Sequence, residues 1–147
     1  MIKIYLDTCS IQRPLDSLNQ TRLRLEAEAV LGVLAQVKSG TVELISSTVL
    51  ELEIQRNPLA IRREQSEQVL AQATAIVIVD EQMEQRSIHF VQLGVKVMDA
   101  LHLAAAEAAQ ADYFCTCDDR FLRRAKTIAG LHIRVVSPLE LIEAIEE

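Results

Sequence analysis

Apolar residues along this chain fall in two rhythms. Five short runs are nearly uninterrupted: "IKIYL" at 2–6, "VELIS" at 42–46, "AIVIV" at 75–79, "DYFCT" at 112–116 and "HIRVV" at 132–136. They are short and rich in β-branched or aromatic side chains, which predicts strands. Between them apolar positions recur at helical spacing. In "TRLRLEAEAVLGVLAQVKSG" the repeating residues are Leu23, Ala27, Val30, Leu31, Leu34 and Val37, with Gly40 as the stop. Ser47 is placed to cap "TVLELEIQRN", because its hydroxyl can accept from an exposed N–H of the first turn, and Asn57-Pro58 breaks that helix. Residues 60–73 read as a further helix, polar on one face. "DEQMEQRSIHFVQLG" opens with acids, which the helix dipole favours, and closes at Gly94. "MDALHLAAAEAAQA" is Ala-rich and strongly helical, and "DDRFLRRAKTIAG" ends at Gly130. Ser137-Pro138 starts a closing helix, "LELIEAIEE", with Ser as cap and Pro at the first helical position. The segment containing Pro14 reads as a loop.

Strands alternating with helices predict an α/β fold: a parallel sheet covered by helices on both faces. The strands read as continuous apolar runs, as strands buried on both faces should. Paired helices after Ser47 and after Asp80 read as helical hairpins inserted between strands. No repeat, linker or low-complexity segment interrupts the 147 residues, so one domain over 1–147 is expected.

Composition refines this picture in three places. Aromatic residues are only 3% of the chain, so the core must be built from Leu, Ile, Val and Ala. A net charge of −6 argues against broad, cation-driven binding of nucleic acid, yet leaves open a nuclease whose acids are gathered at a site. Cys9, Cys115 and Cys117 are odd in number, and a lone C-x-C without a second Cys/His pair does not make a zinc knuckle. They read as reduced, small, mostly buried thiols of a cytoplasmic protein. The first apolar run is too short for a signal peptide and Asp7 interrupts it. No uncharged apolar stretch approaches the ~18 residues that span a membrane.

The acids then become the question. In an open parallel sheet, ligands bind beyond the carboxyl ends of the strands. Asp7 follows the first strand, Asp118 and Asp119 follow "DYFCT", Glu51 and Glu53 lie in the first turns after "VELIS", and Asp99 is near the start of a helix. Each alone reads as a turn, a cap or a solvated position. Together Asp7, Glu53, Asp99 and Asp118 can converge on one cleft. Four carboxylates there repel one another, which either raises their pKa values or recruits divalent cations such as Mg²⁺ or Mn²⁺. Such ions are a common device for hydrolysing phosphodiesters.

The pieces "YLDTC", "SSTVLELE", "VMDALHLAAA" and "YFCTCDDRFLRRA" occur in the order and spacing of a known family. Across residues 4 to about 125 the chain resembles PIN-domain proteins, in particular the VapC-type toxin ribonucleases and their stand-alone relatives. The resemblance implies a three-layer α/β/α fold with a central parallel sheet and an acidic Mg²⁺ or Mn²⁺ pocket. It implies endoribonuclease cleavage of RNA by an activated water, a homodimer, and a small antitoxin protein as partner. Asp7, Asp99 and Asp118 carry over as metal ligands, with Thr8 and Thr116 as supporting hydroxyls. The second acid of the family stands six residues after the helix-starting Ser; counting from Ser47 gives Glu53, with Glu51 as the alternate. Glu51 and Glu53 point to different helix faces, so one enters the pocket. Asp119 is read as secondary. Arg120, Arg123 and Arg124 share roughly one helical face near Lys126 and, with Arg13, are candidates for holding the RNA backbone; a solvated amphipathic helix is the plainer alternative. His102 can approach the pocket, but is read as a packing or hydrogen-bonded histidine.

Rival readings fail on specific residues. A haloacid-dehalogenase phosphatase needs a second Asp two residues after Asp7, where Cys9 stands. A receiver domain could use Asp80 as its acceptor, but "HIRVVSP" lacks the required Lys. A housekeeping PIN ribonuclease without an antitoxin, or a catalytically silent PIN binding module, remain alternatives within the family.

Overall fold

The computed structural model describes residues 1–146. Its elements run β1 (Ile2–Leu6), α1 (Thr8–Gln12), a single 3-10 turn (Arg13–Leu15), α2 (Thr21–Ser39), β2 (Val42–Ser47), α3 (Thr48–Gln55), α4 (Ala60–Leu70), β3 (Ala75–Val77), α5 (Glu81–Gln92), α6 (Val97–Ala108), β4 (Tyr113–Cys115), α7 (Asp119–Ala125), β5 (Arg134–Val136) and α8 (Pro138–Glu146). The strands form one sheet in the order β3-β2-β1-β4-β5, every pair parallel. This is the α/β fold that the alternation predicts, a parallel sheet flanked by helices. Glu147, the last residue of the expected closing helix, lies outside the described residues.

β1 is the hub. Ile4 pairs with Leu44 on one side and Tyr113 on the other, and Leu6 reaches Cys115. The chain winds from β1 outward to β2 and β3, then returns to the other side of β1 for β4 and β5. The strand order therefore reverses between β1 and β4, which is where open α/β sheets leave a crevice at their carboxyl edge. The Asp7 N–H donates to the Cys115 carbonyl at 3.2 Å, tying the end of β1 to the end of β4.

Consecutive β1 residues Ile4, Tyr5 and Leu6 are all at most 1% exposed, so both faces of the central strand are covered. Phe114 of β4 stacks on Tyr5 with ring centroids 5.1 Å apart and meets Phe121 of α7 edge-on at 5.5 Å. These few aromatic rings sit at the centre of an otherwise aliphatic core containing Leu44, Leu50, Leu103 and Leu141.

Four local expectations change. The segment after Asp7 is not a loop: Thr8–Gln12 is helical, Asp7 is its N-cap, and Arg13–Leu15 continues as the 3-10 turn with Pro14 inside it. β3 is not doubly buried; it pairs only with β2, and Ile76 and Ile78 are 54% and 75% exposed. An edge strand with one neighbour leaves such side chains uncovered. In α2 the inward stripe includes Glu26, Val30, Val33 and Val37, while Leu31 faces outward at 54% exposure. Glu26 is tolerated inside because Arg13 Nε and Arg22 Nη2 stand 3.4 and 3.6 Å from its carboxylate. Among the cysteines, Cys115 and Cys117 are buried as expected, but Cys9 is exposed. The caps at Ser47 and Ser137 form as read, Asp80 adds a cap to α5, and Gly40 closes α2 with φ 81°, a left-handed conformation that suits glycine.

Leu103 of α6 is fully buried one turn after Asp99. Leu103→Ala is expected to lower stability by about 2–5 kcal/mol through the cavity it leaves, read from the midpoint of urea unfolding.

Candidate metal centre

At the carboxyl edge of the sheet, a cavity of about 480 Å³ is lined by Asp7, Thr8, Cys9, Gln12, Arg13, Glu53, Asp99, His102, Cys117 and Asp118. Its four carboxylates come from four separated parts of the chain. Asp7 ends β1, Glu53 is carried by α3 after β2, Asp99 lies in the first turn of α6, and Asp118 precedes α7 after β4. A smaller cavity of about 90 Å³ adjoins it, sharing Asp99 and Asp118 and adding Gly94, Val95, Lys96, Arg120, Phe121 and Arg124.

Two of the carboxylates are helix caps as well as pocket groups. Asp7 Oδ1 accepts from the Ser10 N–H at 3.0 Å and from the Cys9 thiol at 3.0 Å. Asp118 Oδ1 accepts from the Arg120 and Phe121 N–H groups at 3.0 and 3.1 Å. In each case the cap fixes one oxygen and the rotamer of the whole group. Thr116 is buried behind them; its hydroxyl accepts from the Asp118 N–H at 3.1 Å and lies 3.7 Å from Cys9 Sγ.

Glu53 is held differently. Its Oε1 accepts from the Thr8 hydroxyl and from His102 Nε2, the latter at 3.3 Å. His102 is 1% exposed, and its Nδ1 lies 2.6 Å from the Tyr5 hydroxyl, which in turn is 2.7 Å from Ser47 Oγ. Ser47 Oγ accepts from the Leu50 N–H at 3.0 Å, capping α3. One assignment of protons satisfies the whole chain: Ser47 donates to Tyr5, Tyr5 donates to Nδ1, and Nε2–H donates to the Glu53 carboxylate. Burial drives the Tyr5 phenol well above its ordinary pKa, so it stays protonated as this chain requires. The same Ser47 therefore caps the helix that carries Glu53 and anchors the hydrogen bonds that orient it.

The electrostatics differ from one carboxyl to the next. Burial pushes Asp7 upward, opposed by hydrogen bonds from Thr116, Cys9 and Ser10. Burial followed by the charges of Asp7 and Asp118 pushes Asp99 up to about 6. For Glu53, burial is outweighed by hydrogen bonds from His102 and Thr8, leaving it below its ordinary value. A carboxyl raised by its acidic neighbours, as Asp99 is, is relieved by a cation, and hard oxygen donors suit Mg²⁺ or Mn²⁺. Among the described residues no three such side chains already converge on one point.

Several sequence candidates lie elsewhere. Glu51 lines a separate cavity of about 390 Å³ between α3 and α4, with Ile54, Gln55, Glu67 and Leu70 among its walls. Residues two apart on a helix diverge, and here Glu53 faces the acidic cavity and Glu51 does not. Asp119 is 45% exposed and pairs with Arg22 of α2. Arg13 lines the acidic cavity, but its Nη1 donates to Asp16 at 2.8 Å and its Nε lies beside Glu26. Arg123 lines neither cavity, whereas Arg120 and Arg124 line the smaller one. Sequence reading missed the Ser47–Tyr5–His102 chain, Gln12 and Lys96. The His three residues after Asp99 was a visible signal, but its partner Tyr5 is 97 residues away and is identified only by packing.

With metal chelated, Asp99→Asn should stabilise the protein. An acid whose folded pKa exceeds its unfolded value binds protons more tightly when folded. Stability is then highest below the unfolded value and falls as pH rises to about 6, above which the full penalty applies. The thermal midpoint of the variant should exceed that of the native chain at about pH 8, with the gap narrowing by about pH 5. Tyr5→Phe leaves His102 Nδ1 without its buried donor and is expected to cost about 1–3 kcal/mol in chemical denaturation.

The fold has counterparts among known proteins. A family model described as PIN domain matches residues 4–127. Among solved structures the chain is similar to FitAcB from Neisseria gonorrhoeae, at 20% identity and TM-score 0.60 over 92% of this chain and 98% of that one. It is similar to FitAB bound to an IR36 DNA fragment, at 20% identity and TM-score 0.58 over 92% and 94%. It is also similar to VapBC2 from Rickettsia felis bound to a DNA fragment from its promoter, at 11% identity and TM-score 0.59 over 92% and 98%. At these identities the likeness is one of fold. Comparison with curated protein sequences gives no match. Because the family model spans the chain from β1 through α7, and with it every carboxylate of the acidic cavity, the chain belongs to the PIN domain family.

Proposed function

We propose that this protein is a divalent-cation-dependent endoribonuclease and the toxin half of a toxin–antitoxin pair. The observation that carries this reading is the single cavity at the strand-order reversal that gathers Asp7, Glu53, Asp99 and Asp118, with Asp99 pushed up to about 6 by burial and by its acidic neighbours. In this reading Asp7, Asp99, Asp118 and Glu53 hold Mg²⁺ or Mn²⁺. A bound ion there supplies Lewis acidity that activates water for attack on a phosphodiester and offsets the charge developing on the leaving oxygen.

The chain's own residues do the positioning. The Ser10 N–H and the Cys9 thiol hold Asp7, and the N–H groups of Arg120 and Phe121 hold Asp118. Thr8 and His102 hold Glu53 in its ionised form. Each anchored carboxylate loses little freedom when a cation arrives, which favours binding by preorganisation. Thr116 acts from behind, as a support for Asp118.

An antitoxin partner is supported by the motif resemblance to VapC-type toxins and by the fold likeness to FitAB and VapBC2. A homodimer is supported by apolar side chains left uncovered around α3 and α4: Leu52, Leu59 and Ile61 are 46%, 57% and 73% exposed. No helix of the described residues is long and apolar enough to cross a membrane.

Purified protein is expected to cleave single-stranded RNA with Mg²⁺ or Mn²⁺ and to stop when a chelator is added, with its circular dichroism unchanged. Asp99→Asn should lower the cleavage rate by at least about 100-fold, on the scale of losing a group that stabilises transition-state charge. Cleavage by Asp99→Asn at the native rate would sink the site assignment. Metal binding without cleavage of any RNA would favour a silent binding module instead.

A further inference from the structure

The smaller cavity has a chemistry of its own. One wall is the α5–α6 connection, with Gly94, Val95 and Lys96; the other is α7, with Arg120, Phe121 and Arg124; Asp99 and Asp118 separate it from the acidic cavity. Arg120 and Arg124 stand four residues apart on α7 and so share a face, whereas Arg123 lies outside the lining.

These cations are uncommitted. Arg13, Arg22, Arg62, Arg86 and Lys126 each stand within ion-pair distance of a carboxylate. Among the described residues Lys96, Arg120 and Arg124 have no carboxylate oxygen within 4.0 Å, although Asp99 and Asp118 line the same space. The backbone is adapted to one of them. Gly94 has φ +99°, and a Cβ placed there would lie 3.1 Å from Arg124 Nε and 3.3 Å from its Cζ. The guanidinium thus packs directly over Gly94, and a Cβ there would require it to shift by a few tenths of an ångström.

A polyanion approaching four carboxylates on a chain of net charge −6 meets repulsion unless fixed cations adjoin the site. We infer that Lys96, Arg120 and Arg124 form a seat for a backbone phosphate of single-stranded RNA, next to the phosphate that is cut, with Gly94 shaping the floor. This inference rests on the ribonuclease reading. The guanidinium forks suit phosphate oxygens, and the ammonium adds a point charge.

The test is fluorescence anisotropy of a labelled single-stranded oligoribonucleotide, with the full chain in the Asp99→Asn background and Mg²⁺ present, across a salt series. Arg120→Gln and Arg124→Gln should each weaken binding on the order of ten-fold. Each should also lower the slope of log affinity against log salt by about 0.7, the value of one single-strand phosphate contact. Arg124→Lys should keep the slope. Lys38→Gln, at the end of α2 before β2 begins, should change neither quantity. Circular dichroism of each variant checks folding. If the glutamine variants keep the parent slope while the parent binds RNA, the phosphate seat is wrong and the ribonuclease reading stands. If the parent shows no salt-dependent binding and the native chain cuts no RNA, the ribonuclease reading fails and takes the seat with it.

Discussion

Everything at this site depends on β1 being flanked by parallel strands on both sides. Because β2 and β4 run with it, the chain leaves all three strands at the same edge of the sheet. Asp7, the Ser47 cap of α3 and the Thr116–Asp118 segment therefore emerge side by side, though they are far apart in sequence. The reversal of strand order between β1 and β4 opens the crevice they share. An antiparallel partner on either side would send its carboxylates to the opposite edge.

Asp7 and Asp118 each spend Oδ1 on N–H groups of the helix they start. Capping offsets part of the cost of holding like charges together, since N–H donors favour the ionised form. The reading of such residues as caps and the reading as metal ligands are thus not in competition. Asp99 has no such help, and burial followed by the charges of Asp7 and Asp118 takes its pKa up to about 6.

Glu53 shows how a buried polar chain substitutes for capping. Tyr5 lies in the buried Ile4–Leu6 stretch of β1 and would be costly there with an unsatisfied hydroxyl. Ser47 and His102 satisfy it, and the far nitrogen of His102 reaches Glu53. The core strand, the cap of α3 and the orientation of an acid at the pocket are consequently one hydrogen-bonded unit. Tyr5 and Ser47 are thus linked to Glu53 by hydrogen bonds without either residue lining the cavity.

Local signals in the sequence determined a great deal. Short continuous apolar runs and period-3.6 patterning, with caps at Ser47 and Ser137 and stops at Gly40 and Asn57-Pro58, specified the alternating elements and hence a parallel sheet. Placement after strands singled out Asp7, Asp118 and the pair Glu51/Glu53, a helix start added Asp99, and family-like spacing favoured Glu53 over Glu51. What failed locally failed for tertiary reasons. Edge position, invisible in "AIVIV", exposed Ile76 and Ile78; ion pairing with Arg13 and Arg22 drew Glu26 inward while Leu31 turned out. The pairing of His102 with Tyr5 and the gathering of Lys96 with Arg120 and Arg124 were decided only by the packed structure, which also puts Glu53 rather than Glu51 at the cavity. Sequence encodes the short-range periodicities that make helices and strands. Distances between side chains many residues apart are set by strand order and helix packing, which no local pattern records.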